Sequence, residues 1–266
     1  MQALWSKLLE QCRIFPSLLV AFSGGVDSAL VARAAKEAVA GLVLLAFCRT
    51  PLITAAEEAQ ARLLAGLLDM PFHVTELDVL ALPQVGQNRR DRCYICKRAL
   101  FSQLGQLAVQ EELAQVADGS NADDLRSANR PGLQACAELN IAQPLAAAGL
   151  GKEQVRALAA WLGLPNHQQA ARPCLATRFP YDTTLTPQLL RRVAAGEQLL
   201  QDAGCQEFRL RVHGNICRIE AAARERELIL AQAAQIEAGL IALGWPFVTL
   251  DLGGLKSGNF DRAIND

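Results

Sequence analysis

Ser23-Gly24-Gly25-Val26-Asp27-Ser28 follows directly on the apolar run Leu18-Leu19-Val20-Ala21-Phe22 and precedes a segment, Ala29 to Val39, with helical apolar spacing. A short unbroken apolar run suits a parallel strand buried on both faces. The six residues therefore join a strand to a helix. Two adjacent glycines permit a sharp turn and a close backbone approach, Ser23 and Ser28 offer hydroxyls, and the incoming helix presents unpaired N–H groups to an anion. The segment reads as a loop that grips a pyrophosphate, with Asp27 suited to the Mg²⁺ that accompanies a nucleoside triphosphate. A glycine-rich turn of an ordinary α/β domain is the plainer alternative. The G-x-x-x-x-G-K-[ST] pattern is absent, and so is any lysine within the loop.

Outward from the loop, Gly41 to Phe47 reads as a second buried strand, Ala55 to Leu68 as a helix and Phe72 to Leu77 as a third strand. Gln84 to Arg92 breaks the pattern, Phe101 to Gln115 resumes as a helix, and Leu113 to Val116 leads into the acidic loop Ala117-Asp118-Gly119-Ser120-Asn121-Ala122-Asp123-Asp124. Alternating strands and helices predict an α/β fold, a parallel sheet covered by helices on both faces with its ligand at the carboxyl ends of the strands. The acidic loop would then face the ligand, or merely cap the next helical turn. Arg130-Pro131-Gly132 reads as a turn, and Lys152 to Leu162 as a helix stopped by Gly163-Leu164-Pro165. A first domain over 1–168 and a small α+β domain over 169–266 are expected. In the latter, Gln188 to Leu200 and Arg224 to Leu243 read as helices. Glu207 to Val212 and Ile216 to Glu220 form a hairpin around His213-Gly214-Asn215, and Phe247 to Leu252 is a last strand.

The 266 residues are 51% hydrophobic and 20% charged with a net charge of −1, which gives no bulk attraction to nucleic acid or membrane. No run is long enough to span a bilayer, and the N-terminus, where Leu4, Trp5, Leu8, Leu9 and Cys12 fit one helical face, lacks a signal-peptide layout. A cytoplasmic protein acting on a small molecule, without nucleic-acid or membrane partners, is expected. Of eight cysteines, Cys12, Cys48, Cys136, Cys205 and Cys217 lie in apolar surroundings and read as core thiols. Cys93 and Cys96 lie instead among Arg89, Arg90, Arg92, Lys97 and Arg98, and Cys174 lies between Arg172 and Arg178; nearby cations favour thiolates. A redox pair, zinc completed by His167 or His213, and an iron–sulfur cluster all remain open from these residues alone. Arg209 and Arg211 share one face of a strand.

The Ser23–Ser28 loop resembles the PP-loop of the N-type ATP pyrophosphatases, which cleave ATP between its α and β phosphates. Four segments occur together and in order as in the LarE family of PP-loop sulfur transferases. They are that loop, Asp91-Arg92-Cys93-Tyr94-Ile95-Cys96-Lys97, Asp118-Gly119-Ser120-Asn121-Ala122-Asp123-Asp124, and Pro173-Cys174-Leu175-Ala176-Thr177-Arg178. The resemblance implies adenylylation of the carboxylates of pyridinium-3,5-biscarboxylic acid mononucleotide and their conversion to thiocarboxylates, a step toward the nickel-pincer nucleotide of lactate racemase. It implies ATP contacts from Ser23, Gly24, Gly25, Val26, Asp27, Ser28, Asn121 and Asp124, with Mg²⁺ on Asp27. Lys97, Arg178, Glu197, Arg209 and Arg211 would meet substrate or phosphate. One branch of the family sacrifices the sulfur of the cysteine matching Cys174. In the other a CxxC joins it to hold a [4Fe-4S] cluster carrying a transferable sulfide, and the presence of Cys93 and Cys96 points to that branch. A family lysine ahead of Pro173 is replaced by Gln169-Ala170-Ala171-Arg172. The sulfur donor is unknown, and an assembly of identical chains is expected. The rival readings are a PP-loop tRNA thiolase, an amide-forming ligase similar to NAD synthetase, and a nucleotide-binding regulatory module.

Overall fold

The computed structural model describes residues 1–126, 131–169 and 172–256, which divide into two compact units. The first comprises Met1–Leu82 and Asp91–Ala171, the second Pro83–Arg90 and Arg172–Asp266. The chain leaves the first unit after Leu82 and again after Ala171. Arg130, Ala170 and Ala171, which figured in two of the sequence expectations, lie outside the described residues.

The first unit is built on β1 (Leu18–Ala21), β2 (Val43–Arg49), β3 (Phe72–Glu76) and β4 (Gln115–Ala117), all parallel, in the order β3-β2-β1-β4. Alternate residues of β1 face opposite layers. Leu18 and Val20 pack with the helices Gln2–Arg13, Val26–Ala38 and Lys152–Trp161, while Leu19 packs with Leu44, Ala46 and the helix Arg92–Gln110. This two-sided burial explains why the strands read as unbroken apolar runs. β1 stands at the centre, where the strand order reverses direction, and the loop after it opens at the carboxyl edge of the sheet.

Several element boundaries differ from the sequence reading. The helix expected from Phe101 begins at Arg92, so Cys93 and Cys96 fall in its first turns; its end at Gln110 is followed by Glu112 at φ 53. Pro131 opens a helix, Pro131–Glu138, rather than a turn, since proline is tolerated in a first turn where no N–H partner is required. The expected helix Arg224–Leu243 is two, Ala223–Ala231 and Ala233–Ala242, broken at Gln232, whose side chain donates to the Ala203 carbonyl at 2.9 Å.

In the second unit β5 (Phe208–His213) and β6 (Ile216–Ala221) form an antiparallel hairpin, and β7 (Phe247–Leu250) joins β6 in parallel. The helix Pro187–Asp202 packs on this sheet, with Gly196 close against Leu210 and Trp245. No described helix is long and apolar enough to cross a membrane.

Candidate active site

The Ser23–Ser28 loop is shaped by contacts its sequence only partly announces. Gly24 has φ +74, and a Cβ there would stand 2.9 Å from the Ala61 backbone, so both conformation and space demand glycine. Gly25 caps the helix Val26–Ala38, which therefore begins within the motif rather than at Ala29. Ser28 Oγ donates to the Gly25 carbonyl at 3.1 Å and lies 3.3 Å from Ser23 Oγ, and the Gly25 N–H meets Ser23 Oγ at 3.3 Å. Val26 is buried in the core, so its part in the loop is played by its backbone.

The acidic loop after β4 comes against this turn. A Cβ on Gly119 would lie 2.9 Å from Ser28 N, a closeness only glycine permits. Asn121 combines the two roles open to it in the sequence. Its Oδ1 accepts the N–H groups of Asp123 and Asp124, each at 3.1 Å, while its Nδ2 donates to Asp27 Oδ1 at 3.0 Å. Burial raises the Asp27 carboxyl above its ordinary range; the Asn121 bond works against this and the charge of Asp124 adds to it. Lys152, which the sequence gave no reason to single out, places Nζ 3.6 Å from Asp124 Oδ1.

A cavity of about 310 Å³ opens over these groups, lined by Ser23, Asp27, Ser28, Lys97, Asp118 and Asp124 among others, with Phe22, Phe47 and Ile53 supplying apolar wall. Cys48, read from sequence as a core thiol, also lines it, and burial pushes its pKa up to about 11. Lys97 reaches it from the helix Arg92–Gln110 and donates to Asp118 Oδ2 at 3.1 Å. Burial pulls the lysine pKa down, but Asp118 and Cys136 outweigh it and leave the ammonium above its ordinary value. The arrangement offers helix N–H groups, hydroxyls and an ammonium to phosphate oxygens, and two carboxylates to a divalent cation.

Cys93 is exposed and Cys96 half-buried, three residues apart and so on one face of the helix start. Of the five cations noted around them, Lys97 is paired with Asp118 and Arg89 with Asp182 at 2.9 Å. Cys174 belongs to the second unit, and within either unit no group of three or more His, Cys, Asp or Glu among the described residues could hold a metal ion. His167 Nδ1 meets the Leu164 carbonyl at 2.9 Å, the bond of a satisfied loop residue.

In the second unit, Cys174 caps the short turn Leu175–Arg178, its carbonyl receiving Thr177 N at 3.0 Å and Thr177 Oγ1 at 2.9 Å. Arg178 donates to Glu197 through Nε at 2.7 Å and Nη2 at 3.0 Å, and Glu197 also accepts the Leu210 N–H at 3.0 Å. Arg211 pairs with the fully buried Glu220 at 3.1 Å and donates to the Thr177 carbonyl. Arg209 makes no hydrogen bond or ion pair among the described residues, and burial, with Arg211 and Arg178 nearby, lowers its pKa. The four expected phosphate-site residues of this unit are thus gathered around the Cys174 turn, but Arg178, Glu197 and Arg211 are bonded within the protein.

Over 246 residues, 92% of this chain and 89% of the relative, the sequence is 36% identical to the pyridinium-3,5-bisthiocarboxylic acid mononucleotide synthase of Lactiplantibacillus plantarum. The chain belongs to the LarE family. Further relatives of this LarE chain are an uncharacterized protein of Synechocystis sp., 34% identical over 97% of this chain and 98% of the relative, and one of Methanocaldococcus jannaschii, 29% identical over 76% and 77%. No family model matches.

Proposed function

We propose that this LarE chain is an ATP-dependent sulfur transferase that adenylylates the carboxylates of pyridinium-3,5-biscarboxylic acid mononucleotide and converts them to thiocarboxylates. The observation that carries the reading is the cavity in which the start of the helix Val26–Ala38, Asp27, Asp124 and Lys97 meet. The name of the Lactiplantibacillus relative supplies the product, a pyridinium bisthiocarboxylic acid mononucleotide, from which the carboxylate substrate is inferred.

In this reading the Ser23–Ser28 loop wraps the β and γ phosphates with its N–H groups and hydroxyls, and Lys97 offsets charge gathering around the α phosphate as the carboxylate attacks. Asp27 and Asp124 would hold Mg²⁺, and the raised pKa of Asp27 fits a carboxylate awaiting a cation. When bound, the cation neutralises the triphosphate and favours pyrophosphate as a leaving group. Phe22, Phe47 and Ile53 keep water from the adenylate. Cys93, Cys96 and Cys174 supply the soft thiolate set that iron–sulfur clusters take, and the i, i+3 pair fits two such ligands. A bound [4Fe-4S] cluster would furnish the sulfide that replaces AMP. Of Arg178, Arg209 and Arg211, Arg209 is the one without an ion pair among the described residues, and it would take the mononucleotide phosphate.

The test incubates anaerobically purified protein with ATP, Mg²⁺, sulfide and the pyridinium mononucleotide, following pyrophosphate, AMP and product mass. Pyrophosphate release that requires the mononucleotide, with oxygen replaced by sulfur in the product, is expected. Iron and labile sulfide should be present in the parent and lost in Cys96→Ala. Pyrophosphate release without thiolation would point to ligase chemistry, and protein holding zinc but no iron would overturn the sulfur route.

A further inference from the structure

The helix Pro131–Glu138 has no part in the reading above, yet it carries two residues against Lys97. Gly132 is the second residue of this helix, at a position where φ is not positive, so the backbone does not ask for glycine. The space does, since a Cβ there would stand 2.7 Å from Lys97 Cδ. Four residues on, and so on the same face, Cys136 accepts Lys97 Nζ at 3.5 Å while its thiol lies 3.5 Å from the Gly132 carbonyl and 3.6 Å from Asp118 Oδ2. Asp118 is itself held, taking Ser120 N at 2.9 Å and Ser120 Oγ at 2.8 Å. Two of the three ammonium N–H bonds thus end on fixed acceptors, the Phe101 ring lies 5.3 Å from Nζ, and the third N–H has no hydrogen-bond acceptor among the described residues, on a side chain that lines the cavity.

We propose that Gly132 and Cys136 are positioning residues. With Asp118 they form a seat that aims the free N–H of Lys97 at a phosphate oxygen in the loop's cavity. The inference rests on the cavity being the ATP site. At a first-turn position with ordinary φ alanine is a better helix former than glycine, and the Lys97 stem can yield without disturbing the fold. Gly132→Ala should therefore leave thermal stability unchanged or raised while displacing the ammonium, which a purely structural role would not do.

Calorimetry with the full chain, using AMP and adenosine as probes, separates the outcomes. Gly132→Ala is expected to weaken AMP about tenfold, the scale of one charge-assisted bond, and to leave adenosine within twofold. The same substitution in a Lys97→Ala background should add no further loss. Cys136→Val should behave like Gly132→Ala, and Cys136→Ser, which keeps a polar acceptor, should recover most of the affinity. An unchanged AMP affinity in Gly132→Ala, or losses that add in the double variant, would overturn the seat while leaving the nucleotide site intact. A parent protein that binds neither probe would instead remove the ATP reading on which the seat stands.

Discussion

Ionising Asp27 is unfavourable without a bound cation, because burial strips water from the carboxylate and Asp124 stands nearby. Its folded pKa lies above the unfolded one. Stability is therefore lost as pH rises from the unfolded value through the folded one, and the penalty stands above the folded value. Asp27→Asn should melt about 2 °C above the metal-free parent at pH 7, with the difference vanishing toward pH 3. Titration with Mg²⁺ and ATP should show nucleotide affinity that no longer depends on the cation. Gly24→Ala has the opposite character. A left-handed backbone and a contact with Ala61 that cannot yield should cost about 2–4 kcal/mol in denaturant unfolding, with nucleotide binding lost. Both positions were legible in the sequence, since the residue types announce the chemistry locally. Lys152 was not, because only the packing of its helix brings it to Asp124.

At the scale of elements, the second unit is held by charges among the residues that the sequence reading placed at substrate or phosphate. Glu197 ties the helix Pro187–Asp202 to the Cys174 turn through Arg178 and to β5 through the Leu210 N–H. Glu220 on β6, opposite Arg209 in the register, pairs diagonally with Arg211 on β5 and also takes Arg218 at 2.9 Å, with no exposure to solvent. Removing its charge leaves two guanidinium groups without that carboxylate. Glu220→Gln should lower unfolding free energy by about 3 kcal/mol or more, measured in urea. Alternation along β5 put Arg209 and Arg211 on one face, but it could not tell that Glu220, in register with Arg209, bonds diagonally to Arg211. The first turns of the helix Arg92–Gln110, ahead of Phe101, escaped the reading for a related reason. They are fixed by side-chain contacts with a distant helix, such as Tyr94 Oη to Glu138 at 2.7 Å, rather than by an apolar stripe.

Across the whole molecule the residues between the third strand and the CxxC leave the first unit at Leu82 and return at Asp91. Asn88 fastens them to the second unit. Fully buried at φ 54, a conformation asparagine tolerates, it donates to the carbonyls of Phe179 at 3.2 Å and Pro180 at 2.7 Å. Asn88→Ala strips those carbonyls of their donor and should cost about 1–3 kcal/mol. Hydrogen exchange should accelerate at the Asp182 and Leu185 amides, which bond back to the 83–90 segment, and stay unchanged in β1.

The sequence by itself determined the strand, loop and helix around Ser23–Ser28, the parallel α/β layering and the α+β character of the second unit. Each of these follows from local propensity and periodicity, which act within a few residues. Only the tertiary structure decided that 83–90 belongs to the second unit, that Arg178 and Arg211 face carboxylates, and that Lys97 stands on Asp118 and Cys136. Those outcomes depend on which buried polar group meets which partner far along the chain, and burial makes the pairing obligatory without leaving a periodic mark in the sequence.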